Sequence, residues 1–444
     1  MCIPRVRALL VAAGIALTGI AAAGCTDDGP VTAPGARQTA PATPANAAAA
    51  TWTAEMVRLF ELTPANTFPL YVPPAQVVAP GYYVWDSWPL RTRDGSIARV
   101  NGYYVMVSLT SRDTVPPGAR TPLATWRYFV SQTGSDWRLA GEVFAASNPV
   151  GRAQWAGSMM YDEATGLVHA FYTAISGTPV TELDGAERTI QRIAMGTADL
   201  VATPDGPAFR NWRNHRVILE PDGVYYELPR NADTVGVVYA YRDPFYYRDP
   251  QTGRDHILFT ANEAGETPVL NGVVGVAVAA GAALDDWRNL PPLIKAPGVN
   301  AQLERPHVVA TNGRTYLFWC THYFTFGAGL TGYEGLYGFA APGLFGPYQP
   351  LNGTGLVAAN APVVYAQTYS FFALPAGPGR AEITSFLNNV GGRAWLTFAP
   401  TVGIALDGLN TRIVSGKASG PFRLESVTSR AVTLPVAVPV TAGR

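Results

Sequence analysis

An aromatic residue recurs at even intervals along this chain, each time beside turn-forming or charged residues. A regular repeat of this kind indicates a fold built from similar units. The intervals predict five four-stranded β-sheets arranged radially around an axis, which is a five-bladed propeller. Aromatic turn residues also recur in other Trp-rich β proteins, so the pattern alone leaves both interpretations open. The five repeats are Asp136-Trp137-Arg138, Asn211-Trp212-Arg213, Asp286-Trp287-Arg288, Gly346-Pro347-Tyr348 and Gly420-Pro421-Phe422.

The residues between these repeats favour short strands over helices. Pro and Gly number 37 and 45, while charged residues make up only 14% of the chain, a composition typical of many strands joined by turns. A helical pattern occurs in Trp52 to Leu62, where apolar residues have the spacing of a short amphipathic helix. We therefore expect an all-β fold in a single domain over residues 52–444. Strand-like runs include Gly102 to Val107, Leu167 to Tyr172 and Thr315 to Trp319.

Residues 1–25 have the pattern of an export signal. Arg5 and Arg7 precede an apolar run from Ala8 to Ala23, which is too short to predict a membrane span. The segment Ala22-Ala23-Gly24-Cys25 is similar to the bacterial lipoprotein processing box, in which the Cys becomes a lipidated N-terminus. Simple cleavage and secretion is the alternative. Residues 26–51 are rich in Ala, Pro and Thr and are predicted to form a flexible tether.

Charge and cysteine content exclude several classes of function. The 32 basic and 32 acidic side chains balance, so nucleic acid is not expected as a partner. Cys2 belongs to the leader and Cys25 would be lipidated or removed, which leaves Cys320 alone and predicts no disulfide. With 5 scattered His residues and no Cys/His cluster, a zinc site is not expected.

Three short segments each contain one carboxylate among aromatic residues, Arg and Pro. Asp86 lies between two indoles, Asp243 lies among Tyr and Phe, and Glu304 precedes Arg, Pro and His. Cleavage of a glycosidic bond uses one carboxylate to attack the anomeric carbon and a second acid to protonate the leaving oxygen. The segments therefore predict a sugar-cleaving site. They are Tyr83-Val84-Trp85-Asp86-Ser87-Trp88-Pro89, Tyr241-Arg242-Asp243-Pro244 and Leu303-Glu304-Arg305-Pro306-His307.

These carboxylates could instead have structural roles that involve no catalysis. Asp86 could cap a turn between core tryptophans, and Glu304 could pair with Arg305 at a strand start. Asp243 is preferred over Asp249, because the Arg-Asp-Pro motif around Asp249 continues into a polar hairpin loop where that side chain would cap a turn. We expect Asp243 to stay ionised beside its neighbouring Arg. We expect burial and nearby carboxylates to raise the pKa of Glu304, with Arg305 acting in the opposite direction.

These segments, in this order, resemble glycoside hydrolase family 68, the bacterial levansucrases, inulosucrases and related β-fructofuranosidases. The resemblance runs from about Trp52 to the C-terminus. Further matching segments are Gln154-Trp155, Phe171-Tyr172-Thr173-Ala174, Gln191-Arg192-Ile193, Phe324-Thr325-Phe326, Gly329-Leu330-Thr331-Gly332, Gly335-Leu336-Tyr337-Gly338-Phe339, Gly346-Pro347-Tyr348, Pro350-Leu351-Asn352-Gly353, Gln367-Thr368-Tyr369-Ser370 and Ala399-Pro400-Thr401.

The resemblance implies a single-domain five-bladed propeller that uses sucrose as fructosyl donor and retains configuration through a covalent fructosyl intermediate. It implies Asp86 as nucleophile, Asp243 as transition-state stabiliser, and Glu304 as general acid and then base. It implies no metal and no other cofactor. We expect sucrose and fructan acceptors as partners of a monomer that is exported, either lipid-anchored or secreted. The implied fructosyl subsite is Trp85, Trp155 and Arg242, and the implied glucosyl or acceptor side is Gln302, Arg305, His322 and Tyr369.

Two positions depart from the family pattern. The family usually has Trp-Ser-Gly-Ser where this chain has Trp155-Ala156-Gly157-Ser158, so a hydroxyl that would steady the nucleophile is absent. It usually has Glu at the position of Thr260, so a carboxylate that helps to order the site is absent too. Losing one hydrogen bond to a charged group costs about 1.5–3 kcal/mol, which slows a step about tenfold or more. We therefore expect an active but atypical enzyme.

The leading hypothesis is a sucrose-cleaving fructosyltransferase that makes levan or fructooligosaccharides. The alternative enzyme is a β-fructofuranosidase that passes the fructosyl unit mainly to water, and Ala156 favours it. A lipid-anchored fructan-binding propeller without catalysis is a third hypothesis, against which the presence of all three carboxylates argues. The linkage between fructosyl units depends on outer loops and is not predicted.

Overall fold

The computed structural model describes residues 48–175, 180–181, 187–188, 190–229, 239–265 and 269–435. The predicted export signal, including Cys25, and residues 26–47 of the predicted tether lie outside these ranges. The described chain is almost entirely β-sheet, as predicted from its turn-rich composition. Within the described ranges, no helix is long and apolar enough to cross a membrane.

A short strand and a short helix attach the start of the described chain to the sheets. β1 (Ala50–Thr51) pairs in parallel with a later strand, so pairing begins inside the segment predicted as a tether. α1 (Ala54–Arg58) is shorter than the predicted helix, and the Thr53 side chain caps its N-terminus. Trp52 is fully buried, and its Nε1 donates to Thr354 O at 3.0 Å. The helix begins later than predicted because Trp52 is anchored in the core instead of on a helical face.

Strands β2 to β26 form five consecutive antiparallel units. The first unit contains β2 (Tyr82–Thr92), β3 (Ile97–Val100), β4 (Tyr103–Arg112), β5 (Thr125–Ser131) and β6 (Arg138–Glu142). The second contains β7 (Ala153–Asp162), β8 (Leu167–Ile175), the small hairpin β9 (Val180–Thr181) and β10 (Glu187–Arg188), β11 (Gln191–Thr203) and β12 (Gly206–Leu219). The third contains β13 (Tyr241–Arg248), β14 (Asp255–Asn262), β15 (Gly272–Ala279) and β16 (Trp287–Lys295).

The last two units have the same hairpin order. The fourth contains β17 (Glu304–Thr311), β18 (Arg314–Thr321), β19 (Gly335–Ala341), β20 (Gln349–Pro350) and β21 (Leu356–Ala359). The fifth contains β22 (Thr368–Pro375), β23 (Arg380–Val390), β24 (Arg393–Phe398), β25 (Val402–Asp407) and β26 (Asn410–Ser415). β27 (Ser429–Val432) follows them. The 3₁₀ helices are Pro117–Ala119, Thr121–Leu123, Tyr323–Thr325, Leu351–Gly353 and Pro362–Val364.

The first strand of each unit lies at the centre of the fold. β2 contacts β7, β7 contacts β13, β13 contacts β17, β17 contacts β22, and β22 contacts β2, so these inner strands form a closed ring. The first two units are also joined by parallel pairing between β2 and β7. Asp86 lies on β2, Asp243 on β13 and Glu304 on β17. The ring therefore brings together three carboxylates that are far apart in sequence.

The aromatic repeats mark the outer strands of the first four units. Trp137 directly precedes β6, Trp287 begins β16, Tyr348 directly precedes β20, and Trp212 lies within β12. The fifth repeat differs, because Phe422 follows β26, its ring lies 5.6 Å from that of Trp137, and its carbonyl accepts a hydrogen bond from Trp137 Nε1. β27 then pairs in parallel with β3 of the first unit. The last described strand thus returns to the first unit and joins it to the last unit.

Candidate active site

Every inner strand carries a β-bulge at the level of the predicted site residues. A bulge re-aims side chains, and bulges are common beside active sites. Four residues next to these breaks have a positive φ, which costs a non-glycine residue about 1–3 kcal/mol and persists where the surroundings enforce it. They are Asp86 (42°), Asp243 (59°), Arg305 (51°) and Ser370 (62°). The breaks lie between Trp85 and Ser87, Trp155 and Gly157, Arg242 and Phe245, Glu304 and His307, and Tyr369 and Phe372.

The bulges surround one cavity of about 330 Å³. All of the residues that the sequence analysis assigned to catalysis or sugar binding line it, and every unit contributes at least one of them. These residues are Trp85, Asp86, Trp155, Arg242, Asp243, Gln302, Glu304, Arg305, His322 and Tyr369. The other lining residues are Leu109, Arg120, Thr121, Ala156, Phe324, Phe386 and Asn388.

Glu304 is held by a guanidinium and a phenol. Arg242 Nη2 donates to Glu304 Oε1 at 2.7 Å, and Tyr369 OH donates to Oε2. Burial acts to raise the pKa of Glu304, but Arg242, His322 and Tyr369 outweigh it and hold this pKa below the usual value. The shift is opposite to the raised pKa that we expected from the sequence. The cation responsible is Arg242 and not the sequence neighbour Arg305.

Arg242 connects Glu304 to two glutamines. Its Nη2 also donates to Gln302 Oε1 at 2.8 Å, and its Nη1 donates to Gln191 Oε1 at 3.3 Å. Gln191 in addition accepts a hydrogen bond from Tyr241 N at 3.2 Å. Gln191 lies in a segment that matched the family pattern, but nothing in its local sequence indicated a contact with Arg242. These bonds link the guanidinium of the third unit to Gln191 of the second unit and to Glu304 of the fourth.

Asp243 is fixed by hydroxyl and amide donors. Its Oδ2 accepts from Thr260 Oγ1 at 2.9 Å and from Arg305 N at 3.1 Å, and its own N–H donates to Thr173 Oγ1 at 2.9 Å. Burial raises the pKa of Asp243 to about 6, despite the opposing charge of Arg242. Asp243 is therefore mostly ionised at neutral pH, as expected, but it gains protons at a higher pH than a solvated Asp does.

Asp86 lies at the bulge of β2 and is partly exposed in the cavity. The carbonyl of the next residue, Ser87, accepts a hydrogen bond from Arg305 Nη2 at 2.6 Å, which fixes the backbone here. A cation that the sequence analysis missed lies nearby: the Arg120 guanidinium is 5.2 Å from the ring of Trp85. Burial lowers the pKa of Arg120, and the charge of Asp86 acts against that shift. Gly118-Ala119-Arg120 carries no motif that would have indicated this placement.

His322 lies between two carboxylates. Its Nδ1 is 2.9 Å from Glu334 Oε2, and its Nε2 is 3.8 Å from Glu304 Oε2. Burial acts to lower the pKa of His322, but the hydrogen bond to Glu334 and the charge of Glu304 raise it above the usual value. Burial raises the pKa of Glu334 as well. Glu334 was not predicted as a site residue, because its sequence context, Gly332-Tyr333-Glu334-Gly335, is typical of an ordinary turn.

Arg305 directs its side chain to backbone and hydroxyl groups of other inner strands. The residue is only 5% exposed. Its Nη1 donates to Ser370 O at 3.0 Å and to Ser370 Oγ, and its Nη2 donates to Ser87 O. The guanidinium therefore joins β2, β17 and β22. Its assignment to the glucosyl or acceptor side stays a prediction.

Two indoles from neighbouring units line the cavity. Trp85 does so, whereas Trp88, the other indole beside Asp86 in sequence, packs against Trp126 in the core at 4.5 Å. Trp155 of the second unit is the other lining indole, and its Nε1 donates to Thr121 O at 3.1 Å. The indoles suited to sugar contact are thus Trp85 and Trp155.

Asp249, the sequence alternative to Asp243, caps a turn as predicted. Its Oδ1 accepts from Gln251 N at 3.0 Å, and its Oδ2 accepts from Thr252 Oγ1 at 2.7 Å. It is absent from the residues that line the cavity. In the part of the chain that the structure describes, no group of three or more His, Cys, Asp or Glu side chains could hold a metal ion.

Comparisons with known proteins agree with this geometry. A family model described as Levansucrase/Invertase matches residues 42–272 and 267–422. The levansucrase LscA of Pseudomonas savastanoi pv. glycinea is 32% identical over 401 residues, which cover 80% of this chain and 91% of that protein. An extracellular sucrase of Zymomonas mobilis subsp. mobilis is 29% identical over 393 residues, covering 82% and 92%. The structure of an inulosucrase from Halalkalicoccus jeotgali bound to kestose superposes with a TM-score of 0.79 at 37% identity, covering 85% of this chain and 98% of that one.

The fold and the cavity define an all-β propeller with an acidic, aromatic-lined centre. The predicted propeller fold is confirmed by the superposition on the inulosucrase. The chain belongs to glycoside hydrolase family 68, the levansucrase and invertase family. The resemblance inferred from the three carboxylate segments is thereby confirmed.

Proposed function

We propose that this protein is a retaining, sucrose-cleaving fructosyltransferase that makes levan or fructooligosaccharides. The observation that carries the proposal is the position of Asp86, Asp243 and Glu304 on the bulges of three inner strands, around one cavity. A glycosyl transfer that retains configuration needs a nucleophilic carboxylate and a second carboxyl group that acts first as acid and then as base. The relatives of this protein include levansucrases and an inulosucrase.

Asp86 is the proposed nucleophile and Glu304 the proposed acid. The Asp86 carboxylate attacks the anomeric carbon of the fructosyl unit, while Glu304 gives its proton to the bridging oxygen, so that glucose leaves and a fructosyl ester forms. Glu304 then takes the proton from an acceptor hydroxyl, which attacks the ester and releases Asp86. Asp243 accepts hydrogen bonds from fructosyl hydroxyls and stabilises the positive charge that develops on the ring. The scheme uses no cofactor.

The ionisation of Glu304 determines how the rate of sucrose cleavage depends on pH. Because Arg242, His322 and Tyr369 lower the pKa of Glu304, only a small fraction of this residue carries the proton that the first step needs at neutral pH. The same contacts suit Glu304 to its second task, the removal of a proton from the acceptor. We therefore expect sucrose cleavage to be fastest on the acid side of neutrality.

The proposed subsites follow the two halves of sucrose. Trp85, Trp155 and Arg242 would contact the fructosyl unit beside Asp86. Gln302, His322 and Tyr369 would contact the glucosyl unit or the acceptor, with Arg305 assigned to the same side. Support comes from the position of all seven side chains on the cavity that holds the carboxylates.

We also propose the route by which the enzyme leaves the cell. Residues 1–25 would act as an export signal, Cys25 would carry lipid or be removed, and residues 26–51 would form the tether to a catalytic domain at 52–444. The name of the Zymomonas relative, an extracellular sucrase, supports export. Mass spectrometry of the mature N-terminus tests lipidation of Cys25, and sedimentation tests the proposed monomer.

Incubation with concentrated sucrose tests the function. We expect glucose to exceed free fructose, with oligosaccharides accounting for the difference. Equal amounts of glucose and fructose without oligosaccharides would instead identify a hydrolysing β-fructofuranosidase. The Asp86→Asn variant, which keeps the size of the side chain, should release no glucose. An unchanged rate in that variant would refute the role of Asp86 as nucleophile. No release by the parent enzyme would refute the mechanism as a whole and favour a fructan-binding propeller.

A further inference from the structure

A row of aromatic rings leads away from Glu304. Tyr369, whose OH donates to Glu304, stacks on His322 with ring centroids 3.7 Å apart and planes 14° apart. His322 stacks on Phe324 at 4.7 Å and 15°. Phe324 meets Tyr323 edge to face at 5.4 Å. Tyr323 meets Tyr365 at 4.9 Å. We call these five side chains the aromatic row.

The outer end of the aromatic row is exposed to solvent. The exposed fractions are 65% for Phe324, 43% for Tyr323 and 51% for Tyr365, and nearby Val363 is 85% exposed. These four are among the eleven large hydrophobic side chains that are exposed in the described ranges. Keeping several apolar side chains together in water is unfavourable, and such groups commonly mark a binding surface.

Buried asparagines hold the two turns that carry the exposed rings. Tyr323 and Phe324 lie in a 3₁₀ turn that ends at Thr325, and the fully buried Asn300 donates from Nδ2 to Thr325 Oγ1 at 3.1 Å. Asn360, which is 1% exposed, donates from Nδ2 to Tyr365 O at 2.9 Å. The turns that carry the rings are therefore already ordered, so little loop entropy is lost when a ligand stacks on the rings.

We propose that the aromatic row binds the acceptor chain, a neutral fructo-oligosaccharide of three or more units. The inference rests on the proposed function and assigns the surface that its acceptor occupies. Three observations select this ligand. First, the row starts at Tyr369, which is hydrogen-bonded to Glu304, the residue that would deprotonate the acceptor hydroxyl. Second, Phe324 lines the same cavity. Third, the exposed rings are uncharged, so they suit the apolar faces of sugar units and not an ionic ligand.

The double variant Tyr323→Ala/Tyr365→Ala tests the proposal, because it removes the outer rings and leaves Tyr369, His322 and Phe324 in position. Tyr225→Ala is the control: it removes another exposed tyrosine, 36% exposed, from a turn that Asp222 fixes outside the row. Sucrose cleavage at low sucrose should stay within about twofold in both variants. At high sucrose the double variant should yield shorter products, as measured by anion-exchange chromatography, and the control should not.

Direct binding separates this inference from the catalytic proposal. In an Asp86→Asn background, which cannot turn over, a linear five-unit fructo-oligosaccharide should bind about tenfold more weakly after Tyr323→Ala/Tyr365→Ala, as calorimetry would measure. Equal affinity in the two proteins, or no binding to the Asp86→Asn protein, would overturn the role of the row while leaving sucrose cleavage intact. Self-association of the enzyme that the double variant abolishes would also overturn it, since the rings would then face a second copy. Failure of the parent enzyme to cleave sucrose would refute the catalytic proposal instead.

Discussion

The hydroxyl of Thr260 donates a hydrogen bond to Asp243 Oδ2 at 2.9 Å. It also accepts one from Arg305 N at 3.1 Å, so one buried side chain on β14 contacts the bulges of both β13 and β17. The sequence indicated only that a family carboxylate is missing here. The structure shows that a neutral donor touches Asp243 directly and favours its ionised form.

Replacing Thr260 by Val keeps the shape of the side chain and removes this donor. A hydrogen bond to a charged group contributes about 1.5–3 kcal/mol, so kcat/KM for sucrose at pH 7 should fall about tenfold or more. The pKa of Asp243, already raised to about 6 by burial, should rise further. The loss should therefore be larger at pH 6 than at pH 8. Thr260→Ser, which keeps the hydroxyl, is the control and should stay near the parent. Equal losses at both pH values would argue against an effect on Asp243.

The Glu334→Gln variant should shift the pH dependence of sucrose cleavage. Glu334 raises the pKa of His322, and the positive charge of His322 lowers the pKa of Glu304. Without the carboxylate, His322 loses its proton more readily and the pKa of Glu304 rises. Because the first step needs protonated Glu304, the alkaline limb of kcat/KM against pH should move to higher pH.

The control for this shift is Glu382→Gln, which neutralises a partly buried carboxylate on β23 that is absent from the cavity lining. Its pH profile should coincide with that of the parent. A Glu334→Gln profile that stays in place or moves to lower pH would contradict the proposed coupling between His322 and Glu304.

Ala156→Ser should restore the hydroxyl that the family pattern has beside the nucleophile. Ala156 lines the cavity at the bulge of β7, so an added hydroxyl would face the carboxylates. We expect kcat/KM for sucrose to rise by up to about tenfold, the effect of one hydrogen bond to a charged group. Ala156→Gly, which changes size without adding a donor, should bring no gain. If kcat/KM of Ala156→Ser is no higher than that of Ala156→Gly, the missing hydroxyl at this position does not explain the atypical activity.

Arg305→Lys distinguishes a structural from a sugar-binding role for this side chain. An ammonium group cannot reach both Ser87 O and Ser370, so buried acceptors lose partners and the free energy of unfolding should fall by about 2–4 kcal/mol. The control is Arg248→Lys, at an ion pair with Asp255 in which the Arg side chain is 37% exposed. This change should lower the free energy of unfolding far less. Denaturant titration measures both. Unchanged stability together with an altered preference among acceptors would support the predicted acceptor-side position of Arg305.

Local sequence singled out the three candidate carboxylates because each is surrounded by aromatic residues, Arg and Pro. It also separated Asp243 from Asp249, since the polar loop after Asp249 marks a turn. These conclusions depended on neighbours in the chain, and the structure brings the three side chains to one cavity.

The residues that sequence analysis missed depend on contacts between units. Glu334 is hydrogen-bonded to His322, and the Arg120 guanidinium lies near the ring of Trp85. Both contacts form only when the chain folds, so the residues beside them in sequence show no pattern that would indicate them. The pKa of Glu304 was wrongly expected to rise for the same reason: Arg242 is distant in sequence, yet it lies 2.7 Å away, while the adjacent Arg305 turns toward Ser87 and Ser370.

The proposed covalent step is open to direct observation by mass spectrometry. The enzyme is mixed with sucrose, quenched in acid within its first turnovers, digested, and searched for a peptide that carries the mass of one fructosyl unit. We predict this added mass on the peptide that contains Asp86, and its absence from the Asp86→Asn variant. Glucose release with the adduct on Asp243 or Glu304, or with no adduct under conditions where the ester survives, would contradict this prediction.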